Sequence, residues 1–124
     1  MATQVITEPF RIAEFLVSEA GGYQSREVAI IQGGVYTPPG TVLGRITATS
    51  VLVPVAPAAA DGSQTAFGVL YQGVAATELA VQRTYIARSA EVNGNVIVWP
   101  AAITAPQKTA AIAQLATLGI LVRT

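Results

Sequence analysis

Hydrophobic positions along this chain fall in short runs cut by glycine and proline, and most are too short for a helix. Glu27-Val28-Ala29-Ile30-Ile31 predicts a strand, closed by a turn at Gln32-Gly33-Gly34. Val35-Tyr36-Thr37 predicts another before Pro38-Pro39-Gly40. The β-branched run from Thr41 to Thr47 carries Gly44 at its centre, and the run from Val51 to Val55 carries Pro54, which restricts it to an edge or a bulge. Asp61-Gly62 is a turn signal because both residues tolerate positive φ, and it opens a strand from Ala66 to Tyr71. Gly68 inside that strand and Gly73 after it predict close backbone approach or a bend. From Glu78 to Arg88, Leu79, Val81, Arg83 and Tyr85 alternate against Ala80, Gln82, Thr84 and Ile86, the period of a strand. Asn93-Gly94, taken alone, predicts a type I′ hairpin leading into Val96-Ile97-Val98-Trp99-Pro100.

One stretch has helical period. Ala111, Ile112, Leu115 and Leu118 share a face, Thr104 and Gln107 have capping-box spacing, and Pro106 fits the first turn. Gly119 is placed to end this helix of about 105–118, and Ile120-Leu121-Val122-Arg123 returns as a strand. Residues 1–22 read as an N-terminal arm, set off by Gly21-Gly22 from a domain at 23–124. Phe10 and Ile12 are spaced for a strand, while Ile12, Phe15 and Leu16 are spaced for a helical turn, so periodicity does not decide. Either the arm is flexible alone and orders on a partner, or it is an N-terminal strand of the domain's own sheet. Some seven short strands, many Gly/Pro turns and one helix predict a mainly β domain.

Composition shifts the emphasis from chemistry to contact. Of 124 residues, 52% are hydrophobic and only 11% charged, and the net charge is zero. Typical soluble domains carry about 25% charged residues. So charge-poor a surface predicts burial against other chains, with a small Ala-rich monomer as the alternative. The balanced charge argues against nucleic acid, which selects a basic stripe. A membrane span is not expected: the uncharged stretch from Ile46 to Ala60 is broken by Pro54 and Pro57. The N-terminus has no basic region followed by an apolar core, so cytosolic synthesis is expected.

The chain has no histidine and no cysteine, which removes Ser-His-Asp and Cys-His catalysis, thiol redox chemistry and His-bearing zinc sites. Asp61 reads as a turn residue, and Glu8, Glu14, Glu19, Glu27, Glu78 and Glu91 as solvated acids. Gly33-Gly34 and Gly40 lack the lysine and spacing of a phosphate loop, and Lys108, within the helix, reads as solvated. No enzyme activity, cofactor, metal or small-molecule substrate is expected. Trp99, followed by Pro100, reads either as a core anchor or as an interface residue.

The order of these features resembles the lambda-type phage head decoration proteins. The resemblance rests on Thr41-Val42-Leu43-Gly44-Arg45-Ile46-Thr47, then DGSQTAFGVLYQGV at 61–74, then VIVWP at 96–100, the capped helix and the closing strand. Arg26-Glu27 before an apolar strand matches as well. It implies a β-clip-like domain of short bent strands that forms a homotrimer at local threefold positions on the outer surface of an expanded virion capsid, clamping the major capsid protein. It implies an arm that adds a strand to that protein, with Phe10, Ile12, Phe15 and Val17 as its anchors. It also moves the turn from Asn93-Gly94 towards Arg88-Ser89. On this reading, deleting residues 1–20 leaves a folded trimer that no longer binds capsids. A tail or fibre component, an enzyme fragment or carbohydrate-binding module, and a β domain without a viral role are the rival readings.

Overall fold

The computed structural model describes residues 14–20 and 24–124. Its elements in chain order are β1 (Leu16–Glu19), β2 (Arg26–Ile31), β3 (Val42–Arg45), β4 (Leu52–Pro54), β5 (Ala66–Leu70), β6 (Val81–Ile86), β7 (Ala90–Asn93), α1 (Ala105–Thr117) and β8 (Ile120–Arg123). The domain is mainly β with one C-terminal helix, as its short apolar runs predict. Five strands close into a barrel in the order β2-β4-β3-β5-β6, and β1-β7-β8 form a separate three-stranded sheet.

Strand alternation divides the apolar side chains between two cores. Leu43, Leu70, Ile31, Leu52 and Tyr85 fill the barrel. Val42, Val69, Ile86, Val92, Leu115 and Ile120 pack in a second cluster that joins the barrel to the small sheet and helix. Successive residues of β3 and β5 are thus buried on opposite faces, which is why both strands read as unbroken apolar runs.

The helix forms where its end signals predict. Thr104 accepts from the Gln107 backbone N–H, and the Gln107 side chain accepts from the Thr104 N–H at 2.9 Å. Ala111 and Leu115 are buried, and Gly119 follows the helix at φ +81°. α1 also has a topological task. β7 and β8 are parallel neighbours, and parallel strands need a long crossover, which the helix supplies.

The glycines of 61–74 behave as expected. A Cβ on Gly68 would sit 2.6 Å from the Ile86 carbonyl oxygen, and β5 is bulged opposite Leu43/Gly44. A Cβ on Gly73 would lie 3.0 Å from Pro39 Cδ. Asp61 closes its turn by accepting from the Ser63 N–H at 3.0 Å and from the Ser63 hydroxyl.

Three local expectations are corrected. Residues 35–37 and 96–98 are not strands; each makes one isolated bridge, Thr37 with Val74 and Val98 with Thr41. Asn93-Gly94 is not a type I′ hairpin, because β7 pairs with β1 and β8 and leaves nothing for 96–98 to pair with. Gly94 instead donates to the Arg123 carbonyl at 2.7 Å. The chain turns at Ser89 (φ 53°), between strands of different sheets.

Candidate functional site

The end of the predicted arm is part of the domain. Phe15 is 1% exposed in the second core, and its carbonyl accepts from the Asn93 N–H at 2.7 Å. β1 pairs antiparallel with β7, and Ala20 N–H donates to the Ser89 carbonyl. Glu19 accepts from Ser25 Oγ and from the Arg26 guanidinium. Phe15 is therefore reassigned from partner anchor to core residue, because its side chain has no face left to offer. Val17, at the irregularity of the β1–β7 register, is 53% exposed. Phe10 and Ile12 lie outside the described residues.

β1 is nonetheless well placed to lead a chain onto a partner. It lies at one end of the order β1-β7-β8, and among the described residues no strand pairs with its outer edge. An exposed edge is a template for a further strand. Trp99, on the other side of the sequence-predicted site, is half-buried against the second core, and Lys108 Nζ lies 5.6 Å from its ring centroid. Lys108 is exposed, as expected, and its ammonium also serves the indole as a cation–π partner. Pro100 lines a shallow apolar cleft with Pro57 and Ile103.

A second exposed surface was missed by sequence reasoning. Gly34 N–H donates to the Glu78 carbonyl at 2.8 Å, which brings two distant loops together. At this junction Leu79 is 81% exposed, Val35 72% and Tyr36 52%. Val28 and Ile30 are exposed on β2, the strand that leads to it. The one acid here, Glu78, is paired with Arg83, so the patch offers apolar area without an unmatched charge. The only sequence signal was the scarcity of charge in QGGVYT and AATELA, which does not reveal that they meet.

The acids are built as ion-pair and turn partners. Glu19 is held below its ordinary pKa chiefly by hydrogen bonds from Arg26, and Glu91 chiefly by those from Arg123. The Ala75 backbone N–H and then Arg83 lower Glu78, while Ser63 lowers Asp61. Burial raises Tyr85. A general acid working near neutrality needs a carboxyl raised above its usual range, and these four are lowered. Among the described residues no three His, Cys, Asp or Glu side chains are grouped to hold a metal, and no helix there is long and apolar enough to cross a membrane.

These pairs set an acid limit. A depressed carboxylate contributes stability that is present above its unfolded pKa and lost as pH falls through the folded one. Thermal unfolding should therefore give a lower midpoint at pH 3 than at pH 7, with part of the loss absent in Glu19→Gln. An unchanged midpoint would contradict the pairing described.

A strand at the end of its sheet, a neutral apolar patch and acids held in ion pairs and turns are features of contact surfaces. The chain belongs to the bacteriophage lambda head decoration protein D family, whose sequence model matches residues 5–120. It is a phage capsid decoration protein, a structural component of the virion that binds the capsid. No curated protein matches the chain closely enough to count as a relative.

Proposed function

We propose that this protein stabilises the phage head as a homotrimer seated at local threefold positions on the outside of the expanded capsid. Each trimer clamps neighbouring major capsid protein subunits, with no catalysis, cofactor, nucleic acid, membrane or small-molecule substrate involved, and the chain is made in the host cytoplasm. The supporting observation is β1, which begins at Leu16 and has no strand partner on its outer edge among the described residues. A strand continuing from that edge onto a capsid subunit would gain main-chain hydrogen bonds and use Phe10 and Ile12 as alternating side-chain anchors, with Val17 beside them. Self-association draws support from the Val35, Tyr36 and Leu79 patch, whose neutrality suits contact with an identical surface region or its neighbour in a closed ring.

Imaging purified protein mixed with undecorated expanded capsids tests this. Three-lobed density at the local threefold positions is expected. Density confined to the tail or to filaments would overturn the reading in favour of a different virion component.

A further inference from the structure

Beside α1 two adjoining clefts, of about 280 and 250 Å³, share Pro57 and Gln107 and together form one groove. Its walls are alanine, proline, valine, isoleucine and glutamine, and no charged side chain lines it. Three of its residues are glutamines whose oxygens are already engaged. Gln64 Oε1 accepts from the Gly62 N–H at 2.8 Å, Gln107 Oε1 from the Thr104 N–H at 2.9 Å, and Gln114 Oε1 from the Ala66 N–H at 2.8 Å. A backbone N–H facing each amide fixes which end is oxygen, so the other end of each is an NH₂ donor. None of these three NH₂ groups donates to a described residue.

We infer that this groove is a second capsid contact, taking an extended, uncharged segment of the major capsid protein through its main-chain carbonyls. The inference rests on the capsid-binding reading and adds a site to it. Three unengaged NH₂ donors in a neutral lining complement a row of carbonyl acceptors flanked by small apolar side chains, and the lining disfavours a charged segment, whose desolvation nothing there repays. From Gln107 to Gln114 the helix rises about 10 Å, a span that about three extended residues cover. No residue of β1 lines the groove, so the two contacts would use different parts of the domain. Two-point attachment raises avidity without requiring either contact to be strong.

The test replaces donors while keeping acceptors. In the triple variant Gln64→Glu, Gln107→Glu, Gln114→Glu, each side chain retains an oxygen for the same backbone N–H, and glutamate serves the capping box as well as glutamine does. Ala110→Arg, at an exposed helix position lining the groove, blocks it by bulk and charge. Both variants should keep the thermal midpoint and sedimentation mass of the unmodified protein, and both should bind undecorated capsids at least tenfold more weakly. Binding within twofold of the unmodified protein overturns the groove assignment. So does loss of self-association, which would make the groove a contact between copies. Failure of the unmodified protein to bind capsids overturns the capsid-binding reading itself.

Discussion

Deleting residues 1–20 is expected to unfold this protein, whereas deleting residues 1–12 should leave it folded and unable to bind capsids. The difference is Phe15 and β1. Phe15 is fully buried among Val42, Val92, Ile97 and their neighbours in the second core, and truncating a buried phenylalanine to alanine alone costs about 3–5 kcal/mol. Removing β1 also strips β7 of one of its two partners and leaves Arg26 without Glu19. Whole domains are stable by only about 5–15 kcal/mol, so these losses together consume most of the margin. Circular dichroism and denaturant titration of the two truncations check this. A folded, cooperative 21–124 fragment would show that β1 is dispensable and would restore the original boundary at residue 22.

Gly44→Ala is the second large effect, with an expected loss of about 3 kcal/mol, the upper part of the usual range for forcing extra atoms into a packed core. Gly44 is buried in β3 between β4 and β5, and a Cβ there would lie 2.2 Å from the Ser63 carbonyl oxygen. Ser63 cannot withdraw cheaply. Its N–H is tied to Asp61, its carbonyl accepts from the Ala56 N–H at 2.9 Å, and it is itself buried. Relief must come from displacing the 61–64 turn or opening the barrel seam. Urea titration measures the loss; a change below about 1 kcal/mol would mean that the turn does not press on β3 as described.

Local signals were the legible part of the fold. Thr104, Gln107 and Gly119 marked the helix ends because caps act within a few residues, and Gly68 marked a close approach because a missing side chain in an apolar strand has few other uses. Pairing was not legible. Nothing in Ala90–Asn93 says that it lies between β1 and β8, and that pairing overrode the hairpin signal of Asn93-Gly94. Phe15 illustrates the same limit at the site. Apolar pattern says that a residue wants burial, and it is silent on whether its own core or a partner provides it. Glu27 and Glu91 stay solvent-accessible as expected, and what the sequence does not show is their pairing with Arg88 and Arg123, far away along the chain. The Val35–Leu79 patch and the three-glutamine groove likewise exist only after distant segments meet.

Cosedimentation of the full-length protein with expanded and with unexpanded undecorated capsids tests the central claim most directly. Saturable pelleting with expanded capsids, in multiples of three chains per site, and little with unexpanded ones is the predicted result. Protein that stays in the supernatant with both would contradict it.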